Sequence, residues 1–431
     1  MIKTEKKPSH RAVHPVKDDD KKAVLKESLF NPKKLPKEAE EILKDFDTII
    51  QGLLPLNSKQ ISKLPDDIRE LSHQLTDERD TRRTAYMNEK VTLSAYTRYF
   101  MWWNLVRLTR LFSNIDLSKA DIKDGDACID LGSGPLTAVI ALWLSRPELR
   151  ALNITWYCVD ISPTALSLGE DLFLSVAART LTEEMENKWK IIRVKGQMGT
   201  SIKEKAKLLI CANMFNEVFQ SESRPLDFLA KKYSEDLTRY GDKKTSYLVI
   251  EPGIPRSARF ISLLRDTFIR KDMSITAPCS HCETCPMDGR LLKGPHMNRT
   301  ADSNRTGKWC NFAFPVKNAP EKLQKLSAAA KIPKERVVLS FVFATPAAEE
   351  NKGLVKNEST VQKSDKTVLL RIASDPIRLS EKIGFYACSR LGLVLYIPKK
   401  GQLTFSGDLV EVPLPKREPK KDFKSGAIII E

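Results

Sequence analysis

The spacing of hydrophobic residues changes along this chain. Between residues 35 and 115, apolar side chains recur at helical spacing, with stripes from Ile42 to Leu53 and from Ile61 to Leu75 and an aromatic-rich segment from Thr92 to Leu111. This pattern predicts a helical region. Between residues 116 and 275, short apolar runs alternate with longer helical patterns. Such alternation predicts a mostly parallel, doubly wound α/β sheet.

The short apolar runs of this middle region have the composition of buried strands. They are rich in Val, Ile and Leu and are bounded by Gly, Pro or polar residues, as strands commonly are. The strands are predicted at residues 127–131, 154–159, 190–194, 207–212 and 246–250. Since helical segments separate them, residues 116–275 are expected to form a Rossmann-like domain.

The alternation stops after residue 275. Residues 276–345 contain a cysteine-rich insertion and one late strand, and the polar stretch 346–366 is typical of a linker. Short apolar runs return in residues 367–431, which we expect to form a β-rich C-terminal subdomain with a basic tail. The polar, lysine-rich residues 1–34 are expected to be a disordered basic tail.

The chain is strongly basic, with a formal net charge of +16 over 431 residues. Such a surface suits the phosphates of RNA, which proteins bind with release of counterions. The longest apolar runs fall short of the roughly 18 residues typical of a membrane-spanning helix, so no membrane association is expected. The N-terminal sequence lacks a hydrophobic signal segment and contains the acidic run Asp18–Asp20, which is unlike a mitochondrial transit peptide, so a cytoplasmic location is expected.

A glycine-rich loop follows the first predicted strand, and Asp160 ends the second one. Glycines let the backbone approach a ligand, and an acidic residue at the second strand end can bind ribose hydroxyls. Because no third glycine follows at the dinucleotide spacing, the loop suits S-adenosylmethionine better. The predicted cofactor-binding residues are Asp130, Gly132, Ser133, Gly134 and Asp160. A Rossmann-like sheet that has lost its ligand is the alternative.

The end of the fourth predicted strand is where a methyltransferase would face its acceptor. It lacks the Asn/Asp-Pro-Pro-aromatic sequence that holds a base amino group. Asn213 and Glu217 are the nearest polar side chains and are weak catalytic candidates. The sequence therefore indicates a cofactor more strongly than it indicates a reaction.

Four of the eight cysteines lie between Cys279 and Cys310. Clustered thiols in a reducing compartment more often bind metal than form disulfides. The pattern Cys279-x2-Cys282-x2-Cys285-Pro286 is similar to the run that holds an iron–sulfur cluster in ferredoxins. Zinc bound by cysteines, with His281 as a further ligand, is the alternative.

Taken together, these motifs resemble a family of methyltransferase-like proteins that associate with the small ribosomal subunit in mitochondria and have bacterial relatives. The resemblance covers roughly residues 90–400. The motifs that carry it are the Asp130–Pro135 loop, Glu251-Pro252-Gly253, Ala277-Pro278-Cys279-Ser280-His281, Cys285-Pro286 and Trp309-Cys310-x-Phe312.

The resemblance implies a class I methyltransferase sheet and a [4Fe-4S] cluster. The implied ligands are Cys279, Cys285, Cys310 and Cys388, with Cys282 as an extra thiol and Cys282 or His281 as alternative ligands. It also implies that many relatives have glycine where this chain has Leu136.

The resemblance further implies a partner. The leading hypothesis is an S-adenosylmethionine-dependent methyltransferase that acts on or with the rRNA of the small ribosomal subunit, or of its precursor, in ribosome assembly and translation. The alternative is a non-catalytic assembly factor with a structural iron–sulfur or zinc site. The oligomeric state does not follow from the sequence.

Overall fold

The computed structural model describes residues 23–76, 86–218, 223–290, 307–347, 366–415 and 418–431. The α-helices in these ranges are α1 (Lys37–Lys44), α2 (Phe46–Leu53), α3 (Ser58–Thr76), α4 (Lys90–Ala95), α5 (Trp102–Phe112), α6 (Thr137–Ser145), α7 (Pro163–Thr180), α8 (Met214–Val218), α9 (Leu226–Arg239), α10 (Pro255–Arg270) and α11 (Glu321–Ala329). The strands are β1 (Val24–Ser28), β2 (Ala127–Leu131), β3 (Ile154–Asp160), β4 (Trp189–Lys195), β5 (Leu208–Ala212), β6 (Ser246–Pro252), β7 (Met273–Ala277), β8 (Phe312–Pro315), β9 (Arg336–Pro346), β10 (Thr367–Ile372), β11 (Ile377–Leu379), β12 (Lys382–Ser389), β13 (Gly392–Tyr396), β14 (Asp408–Pro413) and β15 (Ile428–Ile430).

The larger sheet has the strand order β4-β3-β2-β5-β6-β9-β7, and β8 pairs with β9. The strands from β4 to β6 are parallel, whereas β9 is antiparallel to both of its neighbours, β6 and β7. The order reverses between β2 and β5, which places the carboxyl ends of these two strands at the topological switch point. This arrangement is a Rossmann-like sheet of the methyltransferase type and confirms the predicted fold class at that level.

Alternate residues of the central strands pack on opposite faces of this sheet. Cys128 and Ile210 belong to one hydrophobic cluster with α5, α6 and α7, whereas Ile129 and Leu209 belong to another with α9 and α10. All four side chains are buried. Since both faces are covered, the strands are apolar throughout, as is usual for parallel sheets.

Two tryptophan side chains fix the helical region before the sheet through their indole nitrogens. The indole nitrogen of Trp102 donates to the carbonyl of Leu43 over 2.8 Å, and that of Trp103 donates to Ser327 over 3.1 Å. Both rings are buried. The aromatic segment of α5 is therefore packed inside the protein and does not form an exposed stacking surface.

The second sheet has the order β1-β14-β10-β12-β13-β15, with β11 paired to β12. Its first strand, β1, lies within the segment 1–34 that was expected to be disordered. Residues 24–28 instead pair with the antiparallel strand β14, which supplies the backbone partners that an isolated polar segment lacks. The expected tail at residues 1–22 and most of the linker, residues 348–365, lie outside the described residues.

Arg371 on β10 links this second sheet to the segment that follows β7. It is buried, and it donates from Nε to the carbonyl of Pro278 over 2.7 Å and from a terminal nitrogen to the carbonyl of Gly407 over 2.8 Å. It also pairs with Glu27 on β1. One buried guanidinium thus holds three separate segments beside Cys279.

In the part of the chain described here, no helix has the length and apolar character needed to cross a membrane.

Candidate functional site

The glycine loop lies at the carboxyl end of β2. Gly132 and Gly134 have φ angles of 70° and 51°, which is the left-handed region. The backbone nitrogens of Gly132 and Ser133 donate to the carbonyl of Val159 over 2.9 and 3.1 Å, which ties the loop to β3. Leu136, at the start of α6, has a φ of 57°. A branched side chain is strained there and glycine would not be, since glycine has no Cβ.

Asp160 connects this loop to the start of α7. Its two carboxylate oxygens accept hydrogen bonds from the backbone nitrogens of Gly134, over 2.9 Å, and Ser162, over 2.8 Å. Burial raises the pKa of this carboxyl, and the backbone hydrogen bonds oppose that rise. Asp160 therefore joins the backbone of the glycine loop to the start of α7, and each of its oxygens keeps a further lone pair.

Asp130 is the most isolated acidic group of the loop. Its side chain is buried, and Oδ2 has no hydrogen-bond partner among the described residues. Burial, together with the nearby charge of Asp160, raises the pKa of Asp130 well above its ordinary value. A buried acceptor without a donor is costly, so this position favours the binding of a group that donates hydrogen bonds.

Two segments cover the loop. A Cβ atom added to Gly132 would lie 2.8 Å from the Cβ and Cγ atoms of Met214, and one added to Gly134 would lie 3.7 Å from the Cε of Met87. The hydroxyl of Ser162 donates to the side-chain oxygen of Asn88 over 2.7 Å. The glycine at position 132 is thus required by close packing as well as by its φ angle.

The two weak catalytic candidates are both engaged within the protein. Asn213 has a φ of 62°, and its side-chain oxygen accepts a hydrogen bond from Arg107 over 2.8 Å. The carboxylate of Glu217 accepts from the hydroxyl of Tyr86 over 3.3 Å. The structure therefore places Asn213 beside a buried cation and Glu217 beside the segment that covers the glycine loop.

Glu251, at the end of β6, is a buried carboxyl next to this cation. Its two oxygens accept from the backbone nitrogens of Phe215 and Asn216 over 2.8 and 2.9 Å. Burial raises its pKa to about 8, although these hydrogen bonds and Arg107 lower it. Burial likewise lowers the pKa of Arg107 to about 10, against the attraction of Glu251. The pair shows that the ends of β5 and β6 form a desolvated polar site.

The cysteines of the predicted metal site come from three parts of the chain. Cys279 and Cys285 lie in the segment after β7, Cys310 precedes β8, and Cys388 lies on β12. The pKa of Cys310 is raised well above its ordinary value by burial and then by the thiols of Cys285, Cys279 and Cys388. The fold thus brings the four implied ligands close enough for the other three to affect the pKa of Cys310.

Arg265 on α10 organises the segment that carries these cysteines. It donates from Nε to the sulfur of Cys279 over 3.2 Å and from a terminal nitrogen to the carbonyls of His281 and Glu283 over 2.8 and 2.9 Å. Burial lowers the pKa of this guanidinium, but the neighbouring cysteine sulfur atoms, first that of Cys279, outweigh burial and place the pKa above its ordinary value. A fixed cation therefore lies beside the sulfur atoms.

The remaining candidate ligands differ in their surroundings. Cys282 is exposed, whereas the Nε2 of His281 lies 3.0 Å from the sulfur of Cys388. Across the described ranges, no group of three or more His, Cys, Asp or Glu side chains is arranged to hold a metal ion. The arrangement is consequently a gathering of thiols and not a formed single-ion site.

A family model for the mitochondrial small ribosomal subunit protein Rsm22 matches residues 91–387. This chain belongs to the Rsm22 family. The matched region contains the glycine loop, Glu251, Arg265 and the cysteines up to Cys310, and it ends one residue before Cys388. A comparison with curated proteins gave no match.

Solved structures that match part of this chain include methyltransferases. An S-adenosylmethionine-dependent methyltransferase from Geobacter sulfurreducens, in complex with S-adenosyl-L-homocysteine, is 10% identical, with 57% of this chain and 90% of that chain covered and a TM-score of 0.30. The corresponding enzyme complex from Thiobacillus denitrificans is also 10% identical, with coverage of 56% and 90% and a TM-score of 0.30. An RNA methyltransferase from Salinibacter ruber is 16% identical, with coverage of 34% and 72% and a TM-score of 0.21.

Three residues of this Rsm22-family site were not predicted as functional from the sequence. Arg107 contacts Asn213 across 106 positions, and no local pattern marks such a pair. Arg265 is one of several basic residues on α10. Glu251 could have been found, because a carboxyl at the end of an apolar strand must be buried or face a site at that edge.

Proposed function

We propose that this member of the Rsm22 family binds S-adenosylmethionine and acts on or with the small ribosomal subunit and its rRNA in ribosome assembly or translation. The family match carries this proposal, because it spans the whole methyltransferase-type sheet together with the glycine loop. The charge of +16 suits an RNA partner.

The glycine loop fits the proposed cofactor through Asp130. Its buried Oδ2 has no partner among the described residues, and the ammonium of a bound amino acid moiety would supply the missing donor. The free lone pairs of Asp160 would accept from ribose hydroxyls, and the Gly132–Gly134 backbone would lie against the ligand. When bound, S-adenosylmethionine supplies an electrophilic methyl group. Met214 and the segment at residues 86–88 would have to adjust to admit it.

The residues at the carboxyl end of β5 support methyl transfer less strongly than the glycine loop supports cofactor binding. We assign Asn213 and Glu217 to acceptor positioning, since both lie at the carboxyl end of β5 beside the cofactor loop. Their contacts to Arg107 and Tyr86 and the close approach of Met214 to Gly132 favour the second candidate function, a non-catalytic assembly factor on a methyltransferase fold.

The four gathered cysteines suit a [4Fe-4S] cluster held by Cys279, Cys285, Cys310 and Cys388. A cubane is held by four cysteine thiolates, which is the number of cysteines that the fold gathers here. Zinc bound through cysteine sulfur atoms is the alternative. Since Cys388 belongs to β12, such a cluster would join the C-terminal subdomain, residues 367–431, to the larger sheet.

The cellular compartment stays a prediction. The family description names the mitochondrial ribosome, whereas the acidic run Asp18–Asp20 led us to expect a cytoplasmic location. Fluorescence microscopy of a C-terminally tagged chain, with a mitochondrial marker, separates the two.

The experiment that tests the proposed function is methyl transfer from radiolabelled S-adenosylmethionine. Protein purified without oxygen is incubated with small-subunit precursor particles, and Asp130→Ala serves as the blank. Label in RNA that depends on Asp130 establishes an RNA methyltransferase. Binding to the particle without any label establishes the non-catalytic factor, and absence of both activities refutes the proposal.

A further inference from the structure

A cavity of about 700 Å³ lies where the larger sheet meets the second sheet. Its walls come from the carboxyl end of β6 at Pro252 and Gly253, from α5, and from the segment 373–377 with Tyr386 on the second sheet. This volume lies within the roughly 300–1,000 Å³ of ligand sites. The cavity is separate from the glycine loop, but it opens at the same, carboxyl end of the strands.

The lining of this cavity is cationic. The lining has four basic side chains, those of Arg107, Lys308, Lys334 and Arg336. Within the described ranges it has a single carboxylate, that of Asp375, which pairs with Arg336. Among the described residues, Lys308 and Lys334 form no ion pair with a carboxylate. The pKa of Lys334 is lowered, first by partial desolvation and then by the charge of Arg107, so two cations face the same cavity. An anion would relieve this repulsion.

Aromatic side chains complete the lining. The indole nitrogen of Trp309 donates to the carbonyl of Gly253 over 3.0 Å, which fixes the ring at the end of β6. The ammonium of Lys308 lies 4.2 Å from the centre of the Tyr386 ring. Both rings are half-buried, so part of each faces the cavity. Aromatic rings beside lysines that have no carboxylate partner are typical of sites that bind single-stranded nucleotides.

We infer that this cavity binds one unpaired nucleotide of an RNA. The base lies against Trp309 or Tyr386, and the flanking phosphates bind Lys308 and Lys334. This inference rests on the proposed function for the choice of RNA over other anions, and it adds the place of contact. An acidic protein segment would satisfy the lysines, but it would not need two aromatic rings, those of Trp309 and Tyr386, beside them.

The test compares matched lysine pairs. Binding of a fluorescein-labelled oligouridylate of about 12 nucleotides, within the usual site size of single-strand-binding proteins, is measured by anisotropy at several salt concentrations. The double variant Lys308→Ala/Lys334→Ala should bind about tenfold more weakly, and the slope of log K against log salt should fall by about 1.4, which is about 0.7 for each lost contact. The control Lys190→Ala/Lys195→Ala removes the same charge from β4, at the far edge of the sheet, and should bind as the unaltered protein does.

A second variant pair tests stacking. Tyr386→Leu should weaken oligouridylate binding about tenfold, whereas Tyr386→Phe keeps the ring and should bind normally. Thermal unfolding of each variant shows whether the fold is retained. Equal affinities of the cavity and β4 variants would overturn the inference. Weaker binding to precursor particles with unchanged binding to oligouridylate would also overturn it and indicate a protein occupant.

The two proposals fail differently. If the unaltered protein bound neither oligouridylate nor particles, the proposed function and the cavity assignment would both be wrong. If it bound both and the cavity variants had no effect, the proposed function would stand and the cavity assignment alone would be lost.

Discussion

The guanidinium of Arg107 donates a hydrogen bond to the side-chain oxygen of Asn213 over 2.8 Å. Through this contact a helix that precedes the sheet fixes the polar residue at the end of β5, where a methyltransferase would face its acceptor. Arg107 also donates to Asn104 over 2.8 Å and lies close to Glu251. Its replacement should therefore disturb both strand ends.

We expect Arg107→Met to lower the free energy of unfolding by about 3 kcal/mol, because it leaves buried polar groups without their partner. Chemical denaturation measures this change. The control is Arg193→Met, which breaks a half-exposed ion pair with Glu170 and should cost less than about 1 kcal/mol. Equal losses in the two variants would show that Arg107 contributes no more than a surface pair.

Glu251 should make stability fall as pH rises. Its pKa is about 8 in the folded protein and 4.5 as an ordinary glutamate. Between these values the folded state binds more protons than the unfolded state, so the free energy of unfolding decreases with increasing pH and levels off above about 8. Denaturation between pH 5 and 8, roughly the window these pKa values define, measures the slope.

The control for this slope is Glu251→Gln. The amide does not titrate, so the variant should lose part of the pH dependence even if it is less stable at every pH. Because other groups also titrate, the comparison is between the two slopes. An unchanged slope would mean that Glu251 ionises in the folded protein at its ordinary pKa.

The two loop glycines should differ in their tolerance of alanine. Both have left-handed φ angles, which cost a side chain about 1–2 kcal/mol. Gly134→Ala should incur this cost alone, since its new Cβ has its nearest neighbour at 3.7 Å. Gly132→Ala should lower the thermal midpoint further, because Met214 lies only 2.8 Å away. Equal midpoints would indicate that Met214 moves away without cost.

Asp130→Asn should separate ligand binding from stability. Loss of a hydrogen bond to a charged group costs about 1.5–3 kcal/mol, so S-adenosylmethionine should bind at least about tenfold more weakly in calorimetry. The fold should not be weakened, because the variant removes a buried carboxyl whose pKa is raised by burial and by Asp160. The exposed Asp171→Asn is the matched control. Equal affinities in both variants would exclude Asp130 from the cofactor site.

Cys285→Ser should abolish the iron–sulfur cluster, and Cys282→Ser should not. Both cysteines lie in the same segment, but Cys285 is buried near three other thiols and Cys282 is exposed. Iron and sulfide content and visible absorption of protein purified without oxygen measure the outcome. Limited proteolysis should then show a looser second sheet in Cys285→Ser. Zinc in place of iron, or equal loss in both variants, would contradict the assignment.

Local patterns were sufficient for much of the architecture. The apolar runs that became β2, β3, β5 and β6 were recognisable because parallel strands covered on both faces contain few polar residues. Strand β1 was not recognised, since its polar sequence is held in a strand by pairing with β14, which lies far along the chain. Within the predicted β-rich region 367–431, the apolar run Leu403–Phe405 lies outside the assigned strands and leaves Leu403 exposed.

The sequence by itself determined the order of the strands between residues 127 and 250, the glycine loop after β2, and the set of cysteines, because these depend on neighbouring residues and on side-chain chemistry. The tertiary structure decided that Asp160 binds the backbone of Gly134, that Arg107 holds Asn213, and that Cys388 lies near Cys310. These contacts join residues that are distant along the chain, so they are fixed by how the sheets and helices pack and not by any local pattern.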